Sequence, residues 1–122
     1  MLVNYPSDIE RTVLELAECN RQSAELRERL AATESLIIQD IAAAKTPEGK
    51  PQFSNESVRA AELTLRMRAD AESADIKAQI ERGEMQKQLH LARLERLRGE
   101  FKLYLVERQA EIATATSMSL VT

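Results

Sequence analysis

The sequence has no tryptophan, a single cysteine and a single histidine, three glycines, three prolines, and only four aromatic residues: Tyr5, Phe53, Phe101 and Tyr104. Each scarcity excludes something. A compact globule draws much of its core from aromatics and large aliphatics. Here the aromatic share is 3% and much of the apolar 43% is alanine. Cys19 alone forms no internal disulfide, which points to a reducing compartment or to indifference to redox. The lone His90 has Gln86, Lys87, Arg93 and Leu94 as helix neighbours, so no carboxylate or thiolate stands beside it to complete a metal site. Cys19 lies among Glu15, Glu18 and Gln22, surroundings that do not favour a thiolate nucleophile. The glycines stand apart at positions 49, 83 and 99, so no glycine-rich phosphate loop exists. No apolar run approaches the roughly 20 residues that span a bilayer. The opening MLVNYPSDIE lacks the basic and apolar regions of a secretory signal. The expectation is a cytoplasmic, non-enzymatic protein without cofactor or metal.

What is abundant is charge, at 30% of the 122 residues, together with Ala, Glu, Leu and Arg, the composition of coiled coils and long helices. The net charge of −3 is close to neutral and announces neither a nucleic-acid nor a membrane partner. Ser7-Asp8-Ile9-Glu10 reads as a capping pattern after Pro6. No further proline or glycine occurs until Thr46-Pro47-Glu48-Gly49-Lys50-Pro51, where a helix must stop. Ser54-Asn55-Glu56-Ser57 offers caps for a second helix. The expected fold is all-α: one domain over 1–122, with a helix over about 7–45, a loop over about 46–53, a helix over about 54–113 and a flexible tail over 114–122. At 1.5 Å per residue the helices would be roughly 57 and 90 Å long. A short connection suits an antiparallel two-helix hairpin, coiled-coil-like. Folding back at 49 or 50 sets Ile9 near His90 or Leu91 and leaves residues 92–113 without an intramolecular partner.

In the first helix, Ile9, Val13, Leu16, Leu30, Ile37, Ile41 and Ala44 follow steps of four and three, a heptad seam. The same register passes through Asn20, Ser23, Arg27 and Glu34. Either these polar residues set the register, with Arg27 near Glu72 and Glu34 near Arg66 and Arg68, or the apolar stripe rotates away from the seam. The second helix carries Val58, Ala61, Leu65, Ile76, Ile80, Leu94, Leu97 and Phe101. Its last third is the most apolar part of the chain and places apolar residues on more than one face. A large exposed apolar surface marks an interaction site. The expectation is a homo-oligomer whose interface uses Leu91, Leu94, Leu97, Phe101 and Leu105. A helix break at Gly99, or less strongly at Gly83, is the competing account of this segment.

Basic residues outnumber acidic ones from Arg82 to Arg108, the reverse of the first helix. Arg93, Arg96, Arg98 and Lys102 are therefore candidate contacts to a nucleic-acid backbone. The alternative is a solvated flank around a leucine seam, since Glu95, Glu100 and Glu107 interrupt the patch. Asp70, Glu72 and Asp75 form a small acidic cluster.

Gly49-Lys50-Pro51-Gln52-Phe53-Ser54-Asn55-Glu56, followed by Arg59-Ala60-Ala61-Glu62 and by Gly99-Glu100-Phe101-Lys102, resembles small helical proteins encoded by bacteriophages and other mobile elements, over roughly Gly49 to Val106. The resemblance implies either a phage-encoded modulator of a host protein or an accessory nucleic-acid-binding factor in recombination or replication.

Overall fold

A computed structural model of the chain describes residues 4–121. These residues form three helices: α1 over Tyr5–Ala43, α2 over Glu56–Ala69 and α3 over Ala71–Val121. The fold is all-α, and no strand occurs among the described residues. No helix among them is long and apolar enough to cross a membrane.

The helix ends follow from local chemistry. At the start of α1 the Asn4 side chain accepts from the Ser7 N–H at 3.2 Å, so Asn4, rather than Ser7, caps the helix. Pro6 falls in the first turn, where the missing N–H has no intrahelical partner to lose. After Ala43 the chain makes a tight turn. The Thr46 N–H donates to the Lys50 carbonyl at 2.7 Å and the Gly49 N–H to the Thr46 carbonyl at 2.9 Å. Gly49 adopts φ +82°, a left-handed conformation that suits glycine. Asn55 then caps α2, accepting from the Val58 N–H at 2.9 Å.

The expected second helix over 54–113 is two helices, because Asp70 divides it. Asp70 has φ −77° and ψ 115°, outside the helical region. Its carboxylate accepts from the Ser73 N–H at 2.8 Å and the Ser73 hydroxyl at 2.7 Å. The residue thus ends α2 and caps α3. These bonds favour the ionised carboxylate and hold Asp70 below the usual carboxylate range, the Ser73 hydroxyl contributing most. Asp70 is therefore a cap, not part of an acidic cluster.

Two further expectations change. The tail expected over 114–122 is helical as far as Val121. Thr114 is accommodated in the helix by donating its hydroxyl to the Ala110 carbonyl at 2.9 Å. Both Gly83 and Gly99 lie inside α3 without breaking it.

The chain divides into two compact units. Residues 19–85 form one, containing the end of α1, all of α2 and the start of α3. Its core contains Ile41, Met67 and Ile76, with Ser73 also fully enclosed. Arg27 pairs with Glu84 at 3.5 Å and Arg29 with Glu72 at 3.9 Å on its surface. Arg27 therefore takes Glu84, while the expected carboxylate Glu72 goes to Arg29.

Residues 1–18 and 86–122 form the other unit. Leu16, Leu94 and Leu97 are its buried apolar residues. Tyr5 stacks in tilted geometry against Phe101 and Tyr104, with ring centroids 5.7 and 5.9 Å apart. Glu15 meets His90 Nδ1 at 3.2 Å. The register is thus Tyr5 with Phe101 and Glu15 with His90, several residues away from the hairpin expectation. That expectation assumed an unbroken helix from residue 54, which Asp70 removes. Residues 92–101 consequently do have an intramolecular partner, the first turns of α1.

The α1 seam also turns by one position. From Thr12 to Thr33 the protected line runs through Thr12, Leu16, Cys19, Ser23, Leu26, Leu30 and Thr33, whereas Val13, Asn20 and Arg27 are exposed. Glu34, Ile37, Ile41 and Ala44 of the expected seam are buried or half-buried. Thr12 is fully enclosed and satisfies its hydroxyl on the Asp8 carbonyl at 2.8 Å. Of the two readings of the polar interval, the rotated stripe is the observed one.

Candidate interaction surface

Within the unit of residues 1–18 and 86–122, successive α3 residues turn by about 100°. His90, Leu94, Leu97 and Phe101 repeat in steps of four and three and face α1; they are buried or half-buried. Counting from Phe101, the opposite side of the helix carries Leu89, Ala92, Arg96, Gly99, Leu103, Val106 and Ala110, again in steps of three and four. Every one of these is exposed. Leu89 is 64%, Leu103 58% and Val106 55% exposed. Leu89, Leu103 and Val106 are the large apolar members of this side, and with the exposed Leu91, Tyr104, Leu105 and Ile112 they give α3 an apolar surface of the kind that marks an interaction site.

The interface residues expected from sequence are divided by this geometry. Leu94 and Leu97, at 7% and 5% exposure, are spent inside the protomer, and Phe101 packs on Tyr5. They do not face outward, because α1 begins early enough to cover them. Leu91 and Leu105 are exposed. Leu89, Leu103 and Val106 belong to the same apolar stretch and are also exposed, though the expected interface did not include them. Their spacing was readable, but Arg96 and Gly99 interrupt the apolar run and conceal it.

The four basic candidates do not share a face. Arg93 is half-buried at 3.9 Å from Glu15, beside the His90 contact. Arg96 pairs within the helix with Glu100 at 3.7 Å. Arg98 and Lys102 lie on the other flank, with Glu95 one turn before Arg98. A phosphate backbone needs convergent cations, and this helix splits them into two pairs.

Gly99 carries a separate signal. A Cβ placed there would meet nothing within 4 Å, and its φ is not left-handed. The protomer gives no packing or backbone reason for glycine, which costs about 1 kcal/mol relative to alanine in a helix interior.

In the unit of residues 19–85, two open grooves flank α2. One, of about 340 Å³, is lined by Ile38, Ile41, Ala42, Glu56, Arg59, Ala60 and Leu63. The other, of about 290 Å³, is lined by Leu30, Glu34, Met67, Arg68 and Lys77 among others. No group of three or more His, Cys, Asp or Glu suited to a metal occurs among the described residues. Cys19 is a half-buried free thiol on the α1 seam. Compared with known protein families, curated proteins and solved structures, the chain matches none.

Proposed function

We propose that this chain is a non-enzymatic helical interaction module that self-associates through the outward stripe of α3. The observation that carries the reading is the exposure of Leu89, Leu103 and Val106 on the side of α3 turned away from its α1-facing seam. In water an exposed Leu/Val stripe is a liability unless a partner covers it. Among the described residues α1 begins at Tyr5, which packs on Phe101 and Tyr104, and α3 is exposed from Lys102 to Ser119. An isolated helix of that length is marginal in water, so association also stabilises the end of α3. In the phage setting that the resemblance implies, the module acts by occupying a host protein rather than by chemistry.

Amide hydrogen exchange at rising protein concentration tests this. Amides of residues 102–113 should become more protected as concentration increases. Exchange independent of concentration would sink the reading.

A nucleic-acid accessory role is the second reading, supported only by the exposed Arg98 and Lys102. Fluorescence anisotropy with labelled single- and double-stranded oligonucleotides at low and physiological salt decides it. Saturable, steeply salt-dependent binding abolished by Arg98→Glu with Lys102→Glu is the result it requires.

A further inference from the structure

The occupant of the α3 stripe follows from its own charges and volumes, given the reading that this face self-associates. We infer that it is a second copy of α3, running antiparallel, in the register that sets Ala92 of one copy opposite Leu103 of the other. In that register Leu89 faces Val106 and Arg96 faces Gly99 of the second copy. Leu103 meets the small Ala92, Leu89 packs on Val106, and the long Arg96 stem crosses the position where a side chain is missing. This supplies the reason for Gly99 that the protomer lacks, since a Cβ there meets nothing in its own chain.

The flanks agree. Residues beside an antiparallel seam meet their own kind across the two-fold axis, and their charges decide partner orientation. Here Glu95 meets Lys102 twice by symmetry, and Glu100 and Glu107 lie on the flank of Arg93, whose other partner is Glu15 of its own chain at 3.9 Å. The two Glu100 side chains also approach each other, and each Arg96, already 3.7 Å from its own Glu100, lies between them. The remaining like-charged approaches of this register are Arg96 against Arg96, about 4.5 Å apart along the seam and each beside its own Glu100, and Glu95 against Glu95, about 7.5 Å apart.

Competing arrangements score worse. A parallel pair sets Arg96 level with Arg96 in one seam layer and Glu95 against Glu100 on the flank, with Lys102 against Glu107 as its favourable charge pair. The antiparallel register instead pairs Glu95 with Lys102 and leaves no Glu–Glu pair as close as that one. Sliding the antiparallel pair by one heptad sets Glu100 against Glu107 and Lys102 against itself. It also parts Arg96 from Gly99. The face opposite α1 is open over Leu89 to Ala110, so a second α3 reaches it without displacing the first turns of α1.

Disulfide trapping tests orientation and register together. In a full-length Cys19→Ser background, Ala92→Cys and Leu103→Cys are made singly and combined, then oxidised mildly. A disulfide needs its Cα atoms within about 7 Å, whereas two copies of residue 92 would stand about 16 Å apart in this register. The combined variant should give a covalent dimer; each single variant should cross-link about tenfold less or not at all. Ready cross-linking of Ala92→Cys alone would overturn the antiparallel assignment. Sedimentation of the reduced variants separates the two claims. If they are dimers but the combined variant does not cross-link, the register is wrong and self-association stands. If wild type is also monomeric at the highest concentration, both fall. Charge exchange gives an independent readout: Glu95→Lys or Lys102→Glu alone should weaken the dimer about tenfold, and the two together should restore it. No restoration would count against the register.

Discussion

Leu97→Ala distinguishes the two places that this leucine could occupy, the interior of the protomer or the surface between protomers. Leu97 is 5% exposed and packs in the core of the unit of residues 1–18 and 86–122. Truncation removes three carbon atoms, worth about 2.4 kcal/mol of transfer free energy at about 0.8 per methylene. The cavity left behind raises the cost to about 3–4 kcal/mol. A destabilisation of about 1 kcal/mol moves the melting midpoint by about 4 °C at this chain length, so the shift should be about 12–16 °C. Leu103→Ala, on the outward stripe, removes the same atoms from a residue already 58% exposed. Its effect on the protomer should stay below about 1 kcal/mol. Circular dichroism at 222 nm during thermal unfolding reads both, at dilution low enough that association does not contribute. Equal shifts for the two variants, or a larger one for Leu103→Ala, would refute the assignment of Leu97 to the protomer core.

Other perturbations are equally directed. Asp70→Ala should lower the melting midpoint at neutral pH, because α3 loses its cap. The folded carboxylate sits below its usual range, so its contribution is present above the ordinary value and lost as pH falls through the folded one. The gap between wild type and variant should therefore close in strong acid, and a gap that widens there would contradict the cap. Gly49→Ala, at φ +82°, should cost about 1 kcal/mol or more. Gly99→Ala should instead stabilise the dilute protomer by up to about 1 kcal/mol, since its new Cβ meets nothing in the chain. Opposite signs in urea titrations check the pair. Thr12→Val should be tolerated within about 1.5 kcal/mol, because it removes a hydroxyl donor and leaves no buried donor unpaired; a larger loss in the same titration would mean that the Asp8 bond matters more.

Much of the helical content was legible because proline and glycine cluster at residues 46–51 and nowhere inside α1 beyond its first turn. The division at Asp70 was not legible by the same rule. It uses neither residue, only Asp and Ser three apart, which looks like an ordinary charged helix face until the cap bonds are seen. The α1 seam was half legible for a geometric reason. Two heptad registers share Ile9, Leu16, Ser23, Leu30 and Ile37 and differ only at the alternate positions. Hydropathy favours Val13 over Thr12, yet Thr12 is the enclosed residue because its hydroxyl bonds back to the helix. At the candidate site, the apolar character of residues 89–112 was plain from composition. Which leucines face α1 and which face outward depended on where α1 begins relative to α3, a tertiary fact. Leu94 and Leu97, expected between protomers, are buried within the protomer, and Leu89, Leu103 and Val106 of the same apolar stretch were left out of the expected interface.

Sedimentation equilibrium of the wild-type chain from about 1 to 100 µM, beside a Leu103→Ser, Val106→Ser variant, tests self-association most directly. The wild-type mass should rise towards twice the 13.7 kDa protomer, with the variant monomeric and its far-ultraviolet spectrum still helical. A wild type that stays at the protomer mass, or a variant that associates equally well, would contradict it.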